Sequence, residues 1–85
     1  MSKSLHSPRY QIFRKLLIEA RQSAGMTQVE VANLVGKPQS YVSKFEAGER
    51  RLDFTEFVDI CAALGMDAHA FLDAYLSKAH SSKRR

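Results

Sequence analysis

The sequence predicts an all-α fold, a compact bundle of five short helices. Three observations carry that prediction. Apolar residues recur at three- and four-residue spacing from Arg9 to Leu76. No segment alternates apolar and polar residues as a half-buried strand does. Each periodic segment opens behind a Thr or Asp or closes on a Gly, the residues that satisfy or end a helix terminus. With 85 residues there is room for one small core and none for a second catalytic or ligand-sensing module.

The first helix is expected over Arg9 to Ala24, where Phe13, Leu16, Leu17, Ala20 and Ala24 form one stripe and Gly25 supplies a left-handed end. The second starts behind Thr27, whose hydroxyl can cap the exposed amides while Glu30 reaches back in a capping box. It carries Val31, Ala32 and Val35 and breaks at Gly36-Lys37-Pro38. The third, Gln39 to Ala47, buries Val42 and Phe45 and stops at Gly48. Asp53 and Glu56 form a second capping box, for a fourth helix bearing Phe54, Phe57, Val58, Cys61 and Leu64. Asp67 caps the fifth, with Phe71, Leu72, Tyr75 and Leu76 on one side. The expected organisation is thus an arm over residues 1–8, a helical domain over 9–77 and a basic, frayed tail over 78–85.

Composition bounds the function. Cys61 is the only cysteine, which excludes an intrachain disulfide or a Cys-rich zinc site and fits a reducing cytoplasm. No run of eighteen apolar residues occurs, and Met1 to Pro8 lack the apolar core of a signal peptide, so a soluble cytoplasmic protein is expected. Thirteen Lys and Arg outnumber nine Asp and Glu, and the excess is segregated. Residues 1–21 carry five bases and one acid, and 37–51 carry four and two. Residues 52–73 hold five acids and no Lys or Arg. Such asymmetry points to one face that meets an anion and another held away from it.

The informative unit lies at 28–47: a helix of two turns, a turn opening with Gly36, and a second short helix. This is helix-turn-helix geometry, in which the second helix can lie in the major groove of DNA. Ala32 is small where the second helix crosses the first, and Val42 and Phe45 pin the reading helix to the core. The stretches Gly25 to Ala32, Gly36, and Tyr41 to Arg51, continuing into Ile60 to Met66, resemble the Cro and phage-repressor type of helix-turn-helix protein, the XRE family. The resemblance covers residues 9–76 and implies a lambda-repressor-like fold and a sequence-specific, double-stranded-DNA-binding transcriptional regulator of prokaryotic or phage type. Pro38, Leu52, Val29 and Leu34 depart from the residues usual in that family.

The chemistry of base edges can be set beside that resemblance. Reading the major groove takes compact polar side chains near the start of the reading helix, and Gln39, Ser40, Ser43 and Lys44 supply them. Gln39 suits adenine and Lys44 suits guanine, while Tyr41 can meet a thymine methyl or the sugar-phosphate edge. The resemblance implies a phosphate contact for Gln28, and Lys37, Arg50 and Arg51 flank the same face as positioning charges. It also implies a structural ion pair between Arg21 and Glu46. Because one reading helix covers few base pairs, a homodimer on a two-fold operator is expected, with Phe71, Leu72, Tyr75 and Leu76 as its contact.

Other functions find less support. Gly36-Lys37 runs into Pro38 and lacks the upstream glycine of a phosphate-binding loop. Ser40 and Lys44 are four apart, not the three of the Ser-x-x-Lys hydrolases. His6, His69 and His80 share no ligand spacing, so neither an enzyme nor a metal or other cofactor is expected. The alternative of another class is an antitoxin or adaptor that grips a second protein, such as a toxin, through Val29, Leu34 and the fifth helix.

Overall fold

The computed structural model describes residues 7–83, with side chains through residue 80. Five helices follow one another: α1 (Pro8–Ser23), α2 (Gln28–Val35), α3 (Gln39–Glu46), α4 (Phe54–Leu64) and α5 (Ala68–Lys83). The described residues contain no strand.

The helix starts follow from the caps. The Ser7 hydroxyl accepts from Tyr10 N at 3.2 Å, and Pro8, whose fixed φ suits a first helical position, opens α1 one residue before Arg9. Both capping boxes form: Thr27 Oγ1 accepts from Glu30 N at 3.1 Å while Glu30 Oε1 accepts from Thr27 N at 2.8 Å. At α4, Asp53 Oδ1 accepts from Glu56 N at 2.8 Å and Glu56 Oε1 from Asp53 N at 3.0 Å. Asp67 Oδ1 accepts from His69 N at 2.9 Å at the start of α5.

α1 packs on α3 and α5, and α2 packs on α3 and α4. The space between them is filled by Leu17, Val31, Ala32, Val42, Phe45, Ile60, Leu64 and Phe71. Phe13, Phe57 and Phe71 form an aromatic triangle with ring centroids 4.9 to 5.7 Å apart, in the tilted and edge-on arrangements that aromatic pairs favour. Cys61 is buried, and desolvation pushes its thiol pKa up.

α5 extends past Ser77 to Lys83, and Ala79, which continues the four-residue spacing of Phe71 and Tyr75, is itself buried. Phe71 is 4% exposed, set between Phe13 and Phe57. Phe54 stands at the first position of α4, past the edge of the core, and is 76% exposed, while Phe57 one turn on takes the inward place.

Candidate nucleic-acid interface

The turn between α2 and α3 is made by Gly36, at φ 72° and ψ 35°, a left-handed conformation that costs other residues a Cβ clash. Its amide donates to Asn33 O at 3.2 Å, and Lys37 N donates to Ala32 O at 2.9 Å, so the end of α2 is closed before the chain turns. Pro38 cannot continue α2 and stands as the N-cap of α3 in extended conformation, with no side-chain cap on the first turn of that helix.

α3 is held by its inner face. Val42 and Phe45 are buried beneath it, leaving Gln39, Ser40 and Lys44 exposed on the outer side and Ser43 half-buried beside them. These four, all expected to meet bases, share the outward part of one eight-residue helix. Tyr41 lies apart from them. Its half-buried ring stands edge-on to Phe45 at 5.5 Å, with the Arg50 guanidinium 4.9 Å and the Lys37 ammonium 5.6 Å from its centroid. Burial, aided by Glu56 and opposed by Arg50, raises its hydroxyl pKa.

Behind α3 lies a polar chain that fixes it. Arg21 meets the buried Glu46 in a two-pronged pair, Nε to Oε2 at 2.7 Å and Nη2 to Oε1 at 3.0 Å, and its Nη1 donates to Met26 O at 2.9 Å. Gln28 Nε2 donates to Glu46 Oε1 at 2.9 Å, and Gln39 Nε2 donates to Gln28 Oε1 at 2.9 Å. One hydrogen-bonded path therefore runs from α1 through the C-terminal end of α3 and the start of α2 to the first residue of α3. Gln28 is the link within it, with one amide N–H and one carbonyl lone pair still in hand.

Of the flanking cations, Lys37 and Arg50 converge on Tyr41 from the two ends of α3. Arg50 is also clamped by Glu56, with Nη2–Oε2 at 2.9 Å and Nη1–Oε1 at 3.1 Å. That hydrogen bonding raises the Arg50 pKa and, together with the amide of Asp53, lowers that of Glu56. Arg51 turns to the other side, its guanidinium 4.4 Å from the centre of the Tyr10 ring.

Sequence reasoning missed two positioning residues. Arg14 donates from Nη1 to Glu46 O and from Nε and Nη2 to Gln11 Oε1, so it ties the last carbonyl of α3 to α1. The Gln11–Arg14 spacing hints at a helical pair, but nothing local points to a carbonyl 32 residues away. Tyr10 fixes the loop after α3: its hydroxyl donates to Arg50 O at 3.4 Å and accepts from Leu52 N at 3.2 Å. Among the described residues no group of three His, Cys, Asp or Glu could hold a metal, and no helix is long and apolar enough to cross a membrane.

The chain matches the helix-turn-helix family over residues 17–71. Among solved structures, an XRE-family-like protein from Pseudomonas syringae pv. tomato str. DC3000 is 49% identical, with a TM-score of 0.82 covering 89% of this chain and 93% of that one. The wild-type restriction-modification controller protein C.Esp1396I is similar in fold at 20% identity, with a TM-score of 0.80 over 87% of this chain and 97% of its own. The same controller, as a tetramer on its natural 35 base-pair operator, aligns at 21% identity with a TM-score of 0.78, covering 85% of this chain and 95% of that one. No match to the chain is found among curated proteins. With two thirds of its length in the family pattern and 49% identity to a solved XRE-family-like protein, this chain belongs to the XRE type of helix-turn-helix protein.

Proposed function

We propose that the protein is a cytoplasmic transcriptional repressor that binds a double-stranded DNA operator and reads its major groove with α3. The observation that carries this reading is the contrast between the two sides of α3. One side is fixed by Val42, Phe45 and the Arg21–Glu46–Gln28 path, and the other offers Gln39, Ser40 and Lys44 to solvent. A rigid helix with outward donors and acceptors is what direct readout of base edges needs. Gln39, preset by Gln28, is assigned to adenine and Lys44 to guanine, with Ser40 and Ser43 beside them and Tyr41 on the sugar-phosphate edge. Gln28, Lys37, Arg50 and Arg51 are assigned to phosphates, helped by the uncapped first turn of α3, whose dipole favours an anion. No cofactor enters this function and no catalysis is assigned to it. Two copies joined through α5 at Leu72, Tyr75 and Leu76, over the buried Phe71, would bring two reading helices to one operator; Leu72 and Leu76 are 50% and 40% exposed.

The controller protein seen on its operator shares this fold, which supports the reading without supplying the operator of this chain. Selection of duplexes from a random pool tests it directly. The expected product is a pseudo-palindrome with half-site centres about 34 Å apart, bound with an affinity that falls steeply as salt rises. No enriched sequence, or binding indifferent to salt, overturns the proposal. A second reading, an adaptor or antitoxin that binds another protein such as a toxin, is favoured by Val29 and Leu34, which stand 52% and 61% exposed on the outer side of α2. Binding insensitive to salt but lost in Leu34→Asp would select it.

A further inference from the structure

α1, α4 and α5 leave an open apolar groove of about 480 Å³, walled by Tyr10, Phe13, Phe57, Phe71 and Tyr75. Phe54 and Leu72 form part of its lining and project from it, at 76% and 50% exposure, and Arg9 and Arg51 line its polar margin. Phe54 is also rigidly mounted. It follows the Asp53 cap directly, so the capping box that starts α4 fixes the backbone from which the ring projects.

We propose that the occupant of this groove is the Phe54 ring of a second copy of the chain, and that the two rings are exchanged across a two-fold axis. The proposal rests on the dimer reading above and names the residue that anchors it. An isologous interface must be self-complementary, so a knob and the hole that fits it must lie close together on one surface. Here they are neighbours: Phe54 belongs to the lining of the groove, and a dyad beside it seats both rings at once. Charge agrees. The groove margin carries Arg9, whereas the residues next to the projecting apolar side chains are the exposed Asp53, beside Phe54, and Asp73, beside Leu72. A two-fold contact at this surface sets the basic margin of one copy against the acidic α4–α5 surface of the other, which a like-for-like meeting of either patch would not.

The surface is continuous with the part of α5 already assigned to the contact, since Leu72 and Tyr75 line the groove as well. It is also anchored to the reading unit. Tyr10 forms one wall of the groove while its hydroxyl holds Arg50 O and Leu52 N in the loop that follows α3. Joining two grooves therefore fixes the spacing of the two α3 helices through one short, hydrogen-bonded connection. Buried aromatic anchors at the centre of an interface are the residues whose truncation is felt most.

The test is sedimentation of the full chain, wild type against Phe54→Ala and Phe54→Asp, with circular dichroism melting to show that each variant folds. Both substitutions remove an exposed ring, and an acid in the first turn of a helix is favourable, so the fold should persist. The wild type is expected to dimerise at micromolar concentration. Phe54→Ala should raise the dimer dissociation constant at least about 30-fold, and Phe54→Asp should leave monomer only. If the variants dimerise like the wild type, the exchange of rings is wrong while a dimer through the rest of α5 stands. If the wild type is itself monomeric, alone and on DNA, both readings fall together. Should either variant unfold, Phe54→Leu in the same assay keeps the question open to refutation: a folded Phe54→Leu with unchanged affinity for itself overturns an aromatic anchor.

Discussion

Glu46 is buried at 7% exposure, and the Arg21 guanidinium meets it in a two-pronged pair, the shorter prong 2.7 Å long. The pair joins α1 to the far end of the reading helix, and hydrogen bonding to Glu46 raises the Arg21 pKa against the effect of burial. Removing one member leaves the other without its opposite charge, a loss of about 3 to 5 kcal/mol, less where water reaches the survivor. Arg21→Ala and Glu46→Ala, measured singly and together by urea denaturation, should show coupling above the ~0.2 to 1 kcal/mol of exposed pairs. Coupling near zero would mean that the pair does not brace α3.

Gln28 passes that constraint outward. Its amide donates to Glu46 and its carbonyl accepts from Gln39, so Gln28→Ala releases the first reading side chain without emptying any core position. The variant should fold and lose about 1.5 to 3 kcal/mol of stability, the worth of the hydrogen bond to the charged Glu46, since the second bond, from Gln39, is exposed. Its preference for the base opposite Gln39 should fall by about 1 to 3 kcal/mol, the worth of one well-made base contact. A stable Gln28→Ala that keeps its full preference would show that Gln39 needs no such support.

How much of this was legible in the sequence depended on the range of each interaction. The capping boxes at Thr27–Glu30 and Asp53–Glu56 and the left-handed Gly36 follow local rules that act within four residues, and each is present as read. The buried Val42 and Phe45 follow from helical spacing alone. That Phe54 stands out while Phe71 is buried was not legible. Both sit on an apolar stripe, and which one faces inward depends on where α4 and α5 lie along α1, something periodicity does not encode. Likewise Gln28 looked like a surface residue at a helix start, because its partner Glu46 is 18 positions away. The Arg50–Glu56 clamp joins a loop to a cap, and the capping box already accounted for Glu56, so nothing in its spacing called for a cation. The extent of α5 is not written in periodicity, because Ser77, Ser81 and Ser82 mask the spacing that Ala79 keeps.

Lys44 and Lys37 should behave differently on DNA. Lys44 is exposed on the outer side of α3, while Lys37 sits in the turn before it, over the Tyr41 ring. Lys44→Ala should lose about 1 to 3 kcal/mol on the preferred site and relax the choice at one base position. Lys37→Ala should weaken all sequences alike and reduce the slope of log affinity against log salt by about one unit. Titrations of preferred and scrambled duplexes at several salt concentrations separate the two. A Lys44→Ala protein that still prefers its site as strongly as before would mean that α3 lies in the groove in another orientation.

The Arg50–Glu56 clamp gives stability a pH dependence whose sign is fixed by geometry. Two hydrogen bonds from Arg50 and one from the amide of Asp53 hold the Glu56 pKa below its ordinary value. A carboxylate depressed in the folded state contributes stability above the ordinary carboxylate range and loses it as pH falls through the folded value. Glu56→Gln isolates the charge, because glutamine can still accept from Asp53 N and keep the capping box. Since Arg50 is 40% exposed, the difference from the wild type at neutral pH should be small, about 0.2 to 1 kcal/mol. That difference should shrink toward zero as Glu56 protonates in acid, so thermal melts of the two proteins across the acid range should converge. Parallel curves, with the variant equally weak at all pH values, would place the effect in packing and not in the ion pair. Arg50, released from its acid in Glu56→Gln yet still over Tyr41, should also bind phosphate more freely, so this variant is expected to hold DNA at least as tightly as the wild type at low salt.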